Sequence, residues 1–176
     1  MPSPQADTPF SVNGKQTIVF FDFDNTITSL DVLDDVIERF SINRNWVQLE
    51  KDWSIGKIGS KECLEGQLRS IRVTPKALSE YLATIEVDPF FSKLLALLKK
   101  KGIEVVIVSD SFSFIITEIL RHNGIKNVKV YANEIKFRGG DELIPSFPYW
   151  SKDCAKCAHC KRKHVLENNK RLGAFI

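Results

Sequence analysis

The hydrophobic pattern opens on a short run at residues 17–21, TIVFF. It is apolar, β-branched and aromatic, which predicts a buried strand. The run leads straight into Asp22-Phe23-Asp24-Asn25-Thr26. Carboxylates that follow a buried strand lie at its C-terminal edge, where open α/β sheets place their ligands. After that the apolar positions recur only at helical spacing. Leu33, Ile37 and Phe40 share one face, and Trp46, Leu49 and Trp53 share another. Ser60 can cap a third helix carrying Leu64 and Leu68. Thr74-Pro75 supplies a cap and a first turn for a fourth, with Leu78 and Leu82 inward. Four helices with no strand between them predict a small bundle inserted after the first strand.

The alternation then changes. Asp88-Pro89 opens a helix with Leu94, Leu97 and Leu98 on its apolar face, and Gly102 ends it. Residues 103–108 (IEVVIV) predict a second buried strand, followed by Ser109-Asp110-Ser111. A helix carrying Ile115, Ile119 and Leu120 closes at Gly124, and residues 128–131 predict a third strand. The turn Arg138-Gly139-Gly140-Asp141 joins residues 134–137 to 142–147 as a hairpin. Residues 163–172 predict one more helix, and residues 173–176 (GAFI) read as the entry to another buried strand. Strand–helix alternation implies right-handed crossovers. The expected fold class is therefore α/β: a Rossmann-like parallel sheet with helices on both faces. The expected organisation is a flexible tail over residues 1–16, a core over residues 17–29 and 89–176, and the helical insert over residues 30–88.

Composition narrows the class. Of 176 residues, 43% are hydrophobic and 27% charged, a globular balance. The net charge of +3 is too small to imply a nucleic-acid partner by itself. No run approaches the roughly 20 apolar residues of a membrane helix, and the polar, proline-rich start lacks the order of a secretory signal. Of the four cysteines, Cys154, Cys157 and Cys160 crowd together and Cys63 reads as packing in the insert. That spacing suits reduced thiols in a cytoplasmic protein better than a disulfide framework.

The strongest chemical signal is the pair Asp22 and Asp24. Residues two apart in an extended segment point the same way. Phosphate monoesters need a nucleophile, cations that neutralise the phosphoryl oxygens and an acid for the leaving alkoxide. Asp22 can be the nucleophile and a Mg²⁺ ligand, joined by the backbone oxygen of Asp24. The Asp24 carboxyl, aimed away from the metal, can keep a higher pKa and exchange protons with the ester oxygen.

Phe21-Asp22-Phe23-Asp24-Asn25-Thr26-Ile27 resembles the first motif of the haloacid dehalogenase superfamily, and Val108-Ser109-Asp110 resembles its second. The resemblance implies that Ser109 hydrogen-bonds the phosphoryl oxygens, and Thr26 and Asp110 are expected at the substrate. Ser146-Phe147-Pro148-Tyr149 followed by Cys154-x-x-Cys157-x-x-Cys160-Lys161 is similar to the phosphoethanolamine/phosphocholine phosphatases. It is also similar to the methionine-salvage phosphatases acting on 2-hydroxy-3-keto-5-methylthiopentenyl-1-phosphate, with phosphoserine phosphatase a more distant relative. The similarity runs over residues 17–166. It implies that the helical insert is a cap closing over the substrate. It also implies a third-motif lysine that shields charge, for which Lys161 matches best and Lys163 competes. The family's fourth motif, Gly-Asp-x-x-x-Asp at the end of a further strand, is missing by residue 176, so the core is expected to be truncated.

Cys154, Cys157, Cys160 and His164 have ligand types for a closed tetrahedral Zn²⁺ site. Inert thiols and a redox pair are the alternatives. The expected function is Mg²⁺-dependent hydrolysis of a small phosphorylated metabolite through an aspartyl-phosphate. The alternative is a catalytically incomplete, phosphate-binding or regulatory domain of the same fold. The basic run Lys152, Lys156, Lys161, Arg162, Lys163, Lys170 and Arg171 lacks regularly interleaved aromatics. It reads as a solvated face beside an anionic pocket, not as a nucleic-acid surface.

Overall fold

The computed structural model describes residues 17–154 and 156–172. The tail and residues 173–176, read above as a strand entry, lie outside the described residues. Three strands are parallel: β1 (Ile18–Phe21) beside β2 (Glu104–Phe112), and β2 beside β3 (Lys129–Arg138). The fourth, β4 (Glu142–Ser146), runs antiparallel to β3, so the sheet order is β1-β2-β3-β4. The hairpin falls where Gly139 and Gly140 take positive φ, as the turn requires. Residues 128–131 and 134–137, read as two strands, form the single strand β3, and buried Asn133 continues it between them.

Between β1 and β2 lie α1 (Val32–Phe40), α2 (Asn45–Ser54), α3 (Ser60–Arg69), α4 (Pro75–Leu82) and α5 (Pro89–Lys100). Three of their starts follow the capping chemistry, whereas Ser60, expected to cap α3, is its first residue, with Gly59 in the cap position and no side-chain cap. Asp31 Oδ1 accepts from Asp34 N at 3.1 Å, Thr74 Oγ1 from Ala77 N at 3.2 Å, and Asp88 Oδ1 from Phe90 N at 2.7 Å. Helix α6 (Ser113–His122) follows β2 with no intervening loop, and α7 (Lys161–Leu172) ends the described chain.

The inserted helices share one core with the sheet. Val36, Ile37, Leu68, Leu78 and Leu82 join Ile107, Phe112, Ile115 and Ile119 in a continuous cluster. Asn123, at the end of α6, ties the two regions polarly: its Nδ2 donates to Ile85 O at 2.9 Å and its Oδ1 accepts from Val87 N at 3.2 Å. Leu78→Ala therefore lowers the stability of the whole chain by about 2–5 kcal/mol in one cooperative urea transition. Two separated transitions, with only one displaced, would show that residues 30–88 unfold independently. Helix α2 buries no residue and instead lends side chains to the cavity described next.

Candidate active site

The site begins where β1 stops. Phe23 is fully buried, which anchors the segment and leaves Asp22 and Asp24 on its opposite side. Three backbone amides, from Thr26, Ile27 and Thr28, converge on Phe23 O at 2.8–3.2 Å. Asn25 adopts left-handed φ of 56°, which asparagine tolerates better than most residues. The turn carries Thr26 away from the carboxylates. Thr26 lines a separate apolar pocket with Phe21, Phe90, Phe91, Leu94 and Leu97. Thr26 therefore does not line the cavity that holds the two carboxylates, because the chain reverses immediately after Asp24.

Asp22 Oδ1 accepts from Phe23 N at 2.8 Å and Oδ2 accepts from Lys161 Nζ at 2.6 Å. Lys161 Nζ also lies 3.3 Å from Asp110 Oδ1. Burial opposes the Lys161 charge, but Asp110 and Asp22 outweigh it and hold the ammonium above its ordinary value. Lys163 instead lies 4.0 Å from Glu167 on the exposed side of α7. Asp24 Oδ1 accepts from Val32 N, the first residue of α1, at 2.9 Å. Burial, with Asp31 next in size, pushes Asp24 up to about 7, although the Val32 amide works the other way.

At the end of β2 the register slips. Val108 pairs with Tyr131 and Phe112 with Asn133, so three residues of β2 stand against one of β3. This bulge re-aims Ser109, Asp110 and Ser111. Ser109 is buried, its Oγ accepts from Ser111 N at 3.0 Å, and it is not among the cavity-lining residues. Asp110 is turned outward to Lys161, and Asn133 Nδ2 fixes its carbonyl at 2.7 Å. Ser111 lines the cavity, and its Oγ is buried without a hydrogen-bond partner.

The cavity has a volume of about 370 Å³. Its core side carries Asp22, Asp24, Asp110, Ser111 and Lys161, and its far wall comes from α1, α2 and α3 with Asp34, Glu50, Trp53, Cys63 and Gln67. Gln67 Nε2 donates to Glu50 Oε2 at 3.1 Å. Burial, then Asp31 and Glu50, push Asp34 up to about 6. Trp53 Nε1 donates to Ser60 Oγ at 2.9 Å, and Ser60 Oγ donates to Lys156 O at 2.8 Å. The insert is thereby tied to the cysteine loop. The sequence reading missed Ser111, Asp31, Asp34 and Glu50.

The expected Zn²⁺ set is not assembled. Among the described residues no group of three or more His, Cys, Asp or Glu side chains could hold a metal ion. Cys154, Cys157 and Cys160 are free thiols. His164, the fourth expected ligand, is buried and spends its Nε2 on His159 Nε2 at 2.8 Å. For Mg²⁺ the donors are oxygen atoms of the right kind. Asp22 and Asp110 both reach one cationic group, Lys161, and one or two carboxylates are what Mg²⁺ ordinarily takes from a protein.

The family model described as Putative Phosphatase matches residues 17–172. The chain belongs to this family. Its fold agrees with solved structures. A HAD-family hydrolase from Salmonella enterica serovar Typhi superposes with a TM-score of 0.71 at 15% identity, over 91% of this chain and 53% of that one. Among curated relatives, a phosphoserine phosphatase of Archaeoglobus fulgidus is 25% identical over 134 residues, 75% of this chain and 38% of the relative. A 2-hydroxy-3-keto-5-methylthiopentenyl-1-phosphate phosphatase of Brevibacillus brevis is 26% identical over 157 residues, 84% of this chain and 67% of the relative. This family member thus spans from about two fifths to two thirds of the length of these relatives. No described helix is long and apolar enough to cross a membrane.

Proposed function

We propose that the cavity hydrolyses a small phosphomonoester whose alcohol half carries an amine. The observation that supports it best is the joint placement of Asp22, Asp24, Asp110 and Lys161 around one cavity. An Asp22 carboxylate oxygen attacks phosphorus, the ester P–O bond breaks, and the Asp24 carboxyl gives its proton to the departing alkoxide. Water then attacks the phosphorus of the aspartyl-phosphate, loses a proton to the Asp24 carboxylate, and releases phosphate with Asp22 restored. Lys161 neutralises phosphoryl oxygens beside Asp22, and the unpartnered hydroxyl of Ser111 donates to one of them. Ser109 shapes the bulge from beneath. Mg²⁺ would be held by Asp22, Asp110 and the backbone oxygen of Asp24, and when bound it supplies Lewis-acid neutralisation of the phosphate. Residues 30–88 act as the cap over this site, and residues 17–29 and 89–172 as the catalytic body.

The amine follows from the far wall. Burial first, and then repulsion from Asp31 and Glu50, raise Asp34 to about 6. An ammonium group relieves that repulsion, and the Trp53 ring gives it an aromatic surface. The substrate named for the Archaeoglobus relative, phosphoserine, carries such a group.

The test is phosphate release from ethanolamine phosphate and from ethylene glycol phosphate, which match in length but differ in charge. The amine should be preferred by about tenfold or more in kcat/KM. A preference for the neutral alcohol would remove the amine from the proposal. No release from a broad panel of phosphomonoesters, with Mg²⁺ supplied, would remove the hydrolysis itself.

A further inference from the structure

Helix α7 starts against its own electrostatics. Lys161, Arg162 and Lys163 fill its first turn, with no acidic residue among them. The N-terminus of a helix carries partial positive charge and disfavours cations. Lys161 is nonetheless the first helical residue, and its ammonium must stand 2.6 Å from Asp22. Lys163 is steadied by Glu167 only at 4.0 Å and in solvent, which is worth little. Beyond the ion pairs of Lys161 with Asp22 and Asp110, an uncharged contact adjoins this turn.

The two buried histidines flank that turn. His159 lies just before it and His164 within it, 1% and 4% exposed. Their Nε2 atoms are 2.8 Å apart. The rings are boxed by aromatics: Tyr131 stacks on His164 at 4.2 Å and Tyr149 lies 4.7 Å from His159. Lys161 N donates to His159 O at 3.0 Å. The hydrogen-bonded rings thus close a short loop whose middle is Lys161. A 2.8 Å contact between two ring nitrogens requires one N–H and one lone pair. His159 Nδ1 is buried without a partner. The tautomer that leaves only a lone pair there has His159 Nε2–H donating to His164 Nε2, which is less costly than burying an unpaired N–H. Burial and the neighbouring His164 hold His159 down at about 4, so the pair adds no charge to a turn that already has three.

We propose that His159 and His164 form a hydrogen-bonded clip that positions Lys161 against Asp22. The histidines touch no substrate; they act through the lysine. This role rests on the reading of Asp22 and Lys161 as a phosphate site, so the experiment separates the two. Full-length chains carrying His159→Phe, His159→Gln, Lys161→Met, and Lys161→Met with His159→Phe are compared for inorganic phosphate binding by calorimetry and for kcat and KM. Phenylalanine keeps the ring and deletes the bond; glutamine places an N–H near the position of Nε2. His159→Phe should weaken phosphate binding and lower kcat by about tenfold, while His159→Gln stays within about threefold of wild type. In the Lys161→Met background His159→Phe should add no further loss, because its effect runs through the lysine.

An equal loss in both backgrounds would overturn the clip and leave a role in packing alone. So would a His159→Phe protein indistinguishable from wild type while Lys161→Met is impaired. If Lys161→Met itself changes neither phosphate binding nor turnover, the phosphate-site reading falls and the clip with it. The wild-type protein gives a check that needs no variant. In ¹⁵N-labelled protein a scalar coupling should be seen across the hydrogen bond between the two Nε2 atoms, and its absence at neutral pH would also overturn the proposal.

Discussion

Asp22→Asn lowers phosphate release by at least two orders of magnitude while leaving the fold almost untouched. The asparagine is nearly isosteric, and its oxygen can still accept from Phe23 N, as Asp22 Oδ1 does at 2.8 Å. What disappears is the anion. An amide is a poor nucleophile toward phosphorus and a poor ligand for a hard cation. The ion pair with Lys161 at 2.6 Å is also lost, but the partners are 38% and 43% exposed, where such pairs contribute little to stability. The expected melting curve is that of the wild type. A nucleophile that forms a covalent intermediate supplies a large part of the rate, so residual activity above about one per cent would remove Asp22 from that role. A large drop in melting temperature together with the loss of activity would mean that the charge serves the fold instead.

Legibility in the sequence depended on how local each feature was. The strand ending just before Asp22, the capped starts of α4 and α5, and the glycine stops at Gly102 and Gly124 are all written within a few residues, and the structure contains them. Asp22 and Asp24 share a side because one buried phenylalanine separates them, which is also a local fact. The bulge was not local. Ser109-Asp110-Ser111 looks like the end of a strand, and nothing in that triplet says that β2 runs on to Phe112. The slip is set by pairing with Tyr131 and Asn133, more than twenty residues away. It sends Ser109 under the site and brings Ser111 into the cavity. The acidic wall was hidden for a similar reason. Asp31 caps α1 and Asp34 lies in its first turn, and nothing in the local pattern singles them or Glu50 out. They meet only where the folded chain places them around the same cavity as Asp24. The cysteine loop failed in the opposite way: its spacing matched metal chemistry, but His164 is one turn into α7, where burial against Tyr131 and His159 uses up its nitrogen.

Asp24→Asn separates substrates by their leaving groups. An alkyl alkoxide is strongly basic and needs a proton as the P–O bond breaks, whereas nitrophenolate leaves without one. The variant should lose about a hundredfold or more on an alkyl phosphate and less than about tenfold on nitrophenyl phosphate, the range attributable to general acid catalysis. Asparagine can keep the hydrogen bond from Val32 N, so the start of α1 is preserved and the comparison concerns the proton alone. The acid is set by its surroundings: burial first, then Asp31, raise Asp24 to about 7 in the folded protein against 3.8 ordinarily. Turnover of alkyl phosphates by the wild type should accordingly fall as pH rises through about 7, where the proton is lost. The same shift has a signed effect on stability. A carboxyl whose folded pKa is raised binds its proton more tightly in the native state. Its contribution is therefore fully present below pH 3.8 and is lost as pH rises through about 7. Asp24→Asn removes that slope, so at pH 8 the variant should be more stable than the wild type by roughly 1–2 kcal/mol, after allowance for partial solvent access. Urea titrations at pH 5 and pH 8 measure it. Equal losses on both substrates, with parallel stability curves, would make Asp24 the cap of α1 and not the acid of the reaction.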